Sequence, residues 1–183
     1  MRDTTPVPEA TLAETEHGLV PEGEGWFIVN LTDAAAIHTE RFGDGCRFEG
    51  DTPFPQFGIN VRVLQPGQPA SMYHREDAQE AFLVLSGECV AIVEDQERPM
   101  RAGDLLHLPP GTAHVAVGAG DGPCAILMVG ARKAEMGLAF PVSEAAARYG
   151  ASVDSATDDA PTAYAGTRQL EPTRLKSLPW SRA

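Results

Sequence analysis

The residues with the strongest chemical character lie in one stretch, Tyr73 to Gly87, read YHREDAQEAFLVLSG. It sets a histidine and carboxylates into an apolar, strand-like region. His74 and Glu76 are two apart, so on a strand both side chains project from one face. A polar turn follows, and Glu80 opens the apolar run that stops at Gly87. The pattern is strand, tight turn, strand, with metal-ligand residue types flanking the turn. One histidine and a nearby carboxylate would supply two ligands to a divalent ion. A third must come from elsewhere, and His114 in GDLLHLPPGTAH is the best placed candidate.

These side chains need strands to hold them. From Phe57 onward the sequence is dense in short apolar runs, FGINVRVL, ASMYHRE, EAFLVLS, ECVAIVE, DLLHL, AHVAVG and PCAILMVG, each bounded by Gly, Pro, Asp or a charged turn. That density and spacing predict an all-β barrel or sandwich of antiparallel strands rather than strand-helix-strand units. His107 alternates with Leu106 and Leu108, so where the two leucines face the core it faces outward. Tyr73, beside His74, faces away from the ligands and serves packing. Arg62 would bind an anion if it faced a cavity, but arginines on barrel strands are more often solvated, and we expect it there.

The flanks read differently. Residues 1–25 are rich in Pro, Thr, Glu and Gly without a sustained period, and predict an arm that is disordered or lies across the surface. His17 in such an arm would hold no metal. Trp26 to Asn30 (WFIVN) reads as a short strand, Thr32 to Ile37 as a helical turn, and Cys46 to Phe48 as strand again. The barrel is expected over residues 26–132. In the remaining segment, 133–183, Ser143 reads as an N-cap, Glu144 to Tyr149 as a short helix and Gly150 as its C′ residue. Beyond it a loosely ordered tail is expected, locally basic at Arg168, Arg174, Lys176 and Arg182, with Leu178 and Trp180 able to dock on a neighbouring surface.

With 183 residues, 43% hydrophobic, the chain fits one well-cored domain. Its formal charge of -12 argues against nucleic acid or an anionic membrane surface as partner and leaves a small molecule as the expected one. No apolar run suggests a signal peptide or a membrane span, so a soluble, cytoplasmic protein is expected. Cys46, Cys89 and Cys124 are odd in number and far apart, which predicts buried thiols rather than a disulfide framework or zinc ribbon.

The two ligand-bearing stretches together resemble the paired signatures of the cupin superfamily. In the first, G-x5-H-x-H-x3or4-E-x6-G, the matching residues are Gly67, His74, Glu80 and Gly87, with one extra residue after the first glycine and Glu76 in place of the second histidine. In the second, G-x5-P-x-G-x2-H-x3-N, they are Gly103, Pro109, Gly111 and His114, with Gly118 in place of the asparagine. The resemblance implies a double-stranded β-helix, a jelly-roll barrel, holding a metal through His74, Glu80 and His114. Two imidazoles and a carboxylate form the facial triad of non-haem Fe(II) oxygenases, so Fe(II) is favoured, while Zn, Mn, Ni and Co accept the same ligands.

The order Tyr73, His74, Glu80, Gly87, His114 is similar to that of 3-hydroxyanthranilate dioxygenases. It implies dioxygenase chemistry on a small organic molecule, but not that family's substrate, because its substrate-binding arginines fall here on Ala70 and Gly118. A metal-dependent isomerase or lyase and a non-catalytic ligand-binding cupin are the alternatives. Glu76 is the expected catalytic residue, standing back from the ion as a base acting through water, rather than ligating it or turning to solvent. A homodimer is expected, because exposed sheet edges need covering and the Trp26 to Asn30 run offers a spare strand.

Overall fold

A computed structural model describes residues 6–135, 137–167, 170–175 and 178. It is built almost wholly from antiparallel strands: β1 (Thr11–Thr15), β2 (Gly18–Glu22), β3 (Ala35–Thr39), β4 (Gly43–Cys46), β5 (Phe57–Leu64), β6 (Arg75–Glu76) and β7 (Glu80–Ser86), then β8 (Glu88–Val93), β9 (Gln96–Arg101), β10 (Leu105–Leu108), β11 (His114–Ala119), β12 (Cys124–Ala131) and β13 (Leu138–Ala139). Two short helices, α1 (Glu144–Ala147) and α2 (Ala160–Ala163), and strand β14 (Glu171–Arg174) complete it.

Two layers make the barrel. The first is a seven-stranded sheet in the order β10-β7-β12-β5-β4-β3-β14. The second is β11-β8-β9, extended beyond β11 by bridges from Pro69 to Val117 and from His74 to His114, with the small β13-β6 pair alongside. Between the layers lie Leu64, Phe82, Val84, Cys89, Ala91, Met100, Leu108, Ala116 and Ile126, drawn alternately from both sheets as period-2 strands require. At the turn from β7 to β8, Gly87 adopts φ 74°, and a side chain there would come within 2.7 Å of the Pro123 carbonyl, so glycine is required twice over.

Several expectations are met in detail. His107 is exposed between inward Leu106 and Leu108, and Tyr73 is buried on the outer face, its hydroxyl accepting from the Asp95 amide at 3.0 Å. Ser143 caps α1, accepting from Ala146 N at 3.0 Å, and Gly150 follows with φ 66°. All three cysteines are free and buried. Burial pushes Cys89 up to about 12 and Cys124 up to about 11, so both stay thiols.

Other expectations are corrected. Residues 11–22 are not an arm but the β1–β2 hairpin, whose Gly18 packs against the backbone at Asp33, Ala34 and Ala35. Trp26 to Asn30 forms no strand beyond a bridge at Trp26, and the strand lies instead at Ala35–Thr39, where a helical turn was expected. Between β8 and β10 runs β9, unanticipated because QERPMR carries charges and a proline. It tolerates both as the edge strand of its sheet, and Glu94 and Asp95, both at positive φ, close the β8–β9 hairpin. The tail folds onto the barrel. Asp159 caps α2 by accepting from Thr162 N at 2.9 Å, and β14 extends the large sheet along β3. Leu178 is buried against Ala34, Ala36 and Val63, whereas Trp180, Arg168, Lys176 and Arg182 lie outside the described residues. Among the described residues no helix is long and apolar enough to cross a membrane.

Candidate metal centre

His74 and His114 face each other across a single antiparallel bridge, His114 N donating to His74 O at 2.8 Å and His74 N to His114 O at 3.2 Å. Directly opposed residues project from the same face of a sheet, and the two imidazole centroids are 4.9 Å apart. Glu80 approaches from the other layer, at the start of β7. Gly130, its neighbour on β12, leaves the room, since a side chain there would lie 3.3 Å from Glu80 Oε1. One ligand atom from each of His74, Glu80 and His114 lies within 4.8 Å of the others.

Hydrogen bonding fixes the state of the rings. Nδ1 of His74 is 2.7 Å from the Met72 carbonyl and Nδ1 of His114 is 2.9 Å from the Thr112 carbonyl. A carbonyl only accepts, so each Nδ1 carries its proton and each Nε2 turns a lone pair toward the cluster. Burial, reinforced by the neighbouring His114, pushes His74 below the ordinary histidine value and keeps it neutral, as metal ligation requires.

His114 is 1% exposed, and its Nε2 has no hydrogen-bond partner although Glu80 Oε2 is 3.0 Å away. Two acceptors facing at that distance need a cation between them, a proton or a metal ion. The donor set therefore fits a divalent metal. Phe82 packs edge-on to His114 at 5.3 Å and closes the cluster from the barrel interior.

Glu76 points into the same cavity by strand parity. Its Oε1 is 3.8 Å from His74 Nε2, outside the tight three-residue group but beside it. Burial, followed by repulsion from Glu80, raises its pKa above the ordinary glutamate value. It does not turn to solvent.

The cavity lined by His74, Glu76 and Glu80 has a volume of about 230 Å³, and Asn60, Arg62, Ser71 and Tyr164 also line it. Arg62 is thus corrected from a solvated residue to one facing the interior. β5 lies between β12 and β4 in the large sheet, and Arg62 shares the inward parity of Asn60 and Leu64 while Val61 and Val63 pack outward. The available signal was alternation, since Asn60, Arg62 and Leu64 are two apart in INVRVL and so share one face. Tyr164 comes from the segment read as a loose tail, where the Asp159 cap and Pro161 were the overlooked helix signal. Its ring packs on Phe42 and Phe140, and its hydroxyl accepts from Met72 N at 3.3 Å. His17 is not part of this cluster; it lies in the β1–β2 turn, paired with Glu16 at 3.0 Å.

Comparison with known proteins bears on the fold. No curated protein matches the chain. Among solved structures it is similar to a polyketide cyclase from Streptomyces resistomycificus, 16% identical over 61% of this chain and 83% of that one, with a TM-score of 0.51. A sugar phosphate isomerase of the cupin superfamily from Silicibacter pomeroyi is 23% identical over 82% of this chain and 83% of its own, with a TM-score of 0.49. A protein from Acidithiobacillus ferrooxidans, named provisionally as a sugar phosphate isomerase, is 27% identical with a TM-score of 0.43; the match covers 45% of this chain and only 55%, about half, of that relative's length. These likenesses concern the fold and carry no activity across. The family model described as Cupin domain matches residues 60–130, from within β5 to within β12, the span that carries all three members of the cluster. Residues 60–130 form a cupin domain.

Proposed function

We propose that this cupin binds a divalent metal through His74, Glu80 and His114 and acts as an Fe(II)-dependent dioxygenase on a small organic molecule. The observation carrying this reading is the pair of Nδ1-anchored imidazoles converging with one carboxylate on an otherwise unpartnered Nε2. Three protein ligands of this type suit an ion that keeps exchangeable positions. Bound Fe(II) would supply the one-electron chemistry that O₂ activation needs.

The chain's own residues do the rest. Phe82 and Tyr164, the latter packed on Phe42 and Phe140, line the cavity with aromatic surface that restricts water, and Ser71 and Asn60 offer polar contacts for orientation. Glu76, with its raised pKa, is placed to take a proton from a substrate held in the cavity and to return it. That same placement supports a second reading, a metal-dependent isomerase or lyase in which Glu76 is the base and the ion only polarises the substrate.

Anaerobic purification from iron-supplemented culture, followed by O₂-uptake screening against catechols, hydroxy acids and thiols, separates the two. Oxygen consumption by the Fe(II) form alone supports the dioxygenase. Turnover with Zn²⁺ equal to that with Fe(II) overturns it in favour of the isomerase or lyase.

A further inference from the structure

Among the described residues Arg62 is the one Arg or Lys side chain lining the cavity, and nothing in the mechanism above uses it. It makes no ion pair or hydrogen bond among the described residues, although burial is the largest influence on it and acts against its charge. A guanidinium that has lost much of its water and gained no anion is costly to keep. The fold nevertheless makes space for it. Gly45, opposite Arg62 on β4, leaves a gap in which a methyl group would lie 2.7 Å from one guanidinium nitrogen and 3.1 Å from Cζ. The charges around it do not substitute for a partner. Arg47, in a neighbouring pocket with Glu49, acts against its charge and Tyr164 acts for it, while Glu76 and Glu80 line the same cavity without forming an ion pair with it. Asn60, on the same face of β5, holds a buried Oδ1 that also has no partner.

We infer that Arg62 is a substrate anchor and that the molecule brought to the metal centre carries a carboxylate, seated on the Arg62 fork with its remaining polar groups toward Asn60 and Ser71. A carboxylate matches a single guanidinium in charge and in two-point geometry. A phosphate dianion does not, in a cavity of about 230 Å³ that already contains Glu76 and Glu80. This rests on the cavity being the substrate site of the proposed metal centre, but the anchor itself needs no metal.

Binding of acetate, pyruvate, benzoate, benzamide and inorganic phosphate to metal-free and Zn²⁺-loaded protein, measured by calorimetry, tests it. At least one carboxylate should bind both forms, benzoate should exceed neutral benzamide, and Arg62→Gln should weaken carboxylate binding about tenfold to a hundredfold with Zn²⁺ content unchanged. Gly45→Ala keeps the arginine but displaces its head, and should weaken binding in the same order without loss of fold. Should none of the carboxylates bind, benzamide equal benzoate, phosphate outbind them all, or both variants bind as the parent does, the inference is wrong. Carboxylate binding that persists in a chain unable to retain Zn²⁺ would instead refute the metal reading and leave the anchor standing.

Discussion

Gly118 stands where the cupin signature has an asparagine, and the structure accounts for the difference in a way that predicts the outcome of changing it. β11 crosses the turn at residues 65–68 closely. Gly118 N donates to Gln68 O at 2.9 Å, and Gly118 O accepts from Gly67 N at 2.7 Å. A Cβ on Gly118 would lie 2.2 Å from the Gln65 carbonyl oxygen, where ordinary contact begins at 3.4 Å. The obstacle is backbone held by two hydrogen bonds, so rotamer change gives no relief and the strand or the turn must move by about 1 Å. Overpacking of this kind costs about 1–3 kcal/mol, and a fixed backbone obstacle belongs at the upper end. For a chain of this length each kcal/mol lowers the melting temperature by roughly 2–4 °C, so Gly118→Ala should melt roughly 6–12 °C below the parent. Scanning calorimetry of the metal-free proteins, which removes any contribution from ligand affinity, gives the comparison directly. A variant melting within about 1 °C of the parent would refute the packing argument, and the asparagine position would then need another explanation.

Three further outcomes are expected. Asp95 Oδ1 accepts from the Ser143 hydroxyl at 2.5 Å and from Ala145 N at 3.1 Å, and the Ser143 hydroxyl first, then the Ala145 amide, hold its pKa below the ordinary aspartate value. A depressed carboxylate stabilises the fold above its unfolded pKa of about 3.9 and loses that contribution as pH falls through the folded value. Asp95→Asn should therefore melt lower than the parent at neutral pH and converge with it at acid pH, and a gap independent of pH would contradict the assignment. Glu76→Gln should keep its metal and lose turnover; loss of metal would make Glu76 a ligand, and unchanged turnover would remove it from the chemistry. The chain should form a homodimer, with the β10 edge of the large sheet, where Leu105 is 67% exposed, as the face to be covered. Light scattering that gives a monomer at micromolar concentration would dispose of that proposal.

The barrel and its cluster were legible because their information is local. Short apolar runs with turn residues between them specify antiparallel strands, and two-residue spacing fixes which face His74 and Glu76 share. Tertiary placement was less legible. β9 and β14 are joined to their sheets by backbone pairing at an edge, which demands little of their side chains, so QERPMR and EPTR carry no apolar alternation. The β1–β2 hairpin was hidden for the same reason, most of its strand residues being exposed or half-exposed. Arg62 was misjudged because residue type outweighed strand position, although a strand flanked on both sides within a closed barrel has an interior face for any side chain at the right parity. Tyr164 reaches the cavity from a helix of four residues, too short to show a period.

The metal centre is tested most directly by metal quantification on protein prepared anaerobically from iron-supplemented culture, comparing the parent with His114→Ala. The parent should carry a stoichiometric divalent ion, and the variant, folded by circular dichroism, should carry none. Equal occupancy in both proteins, or a parent that stays metal-free under these conditions, would contradict the account.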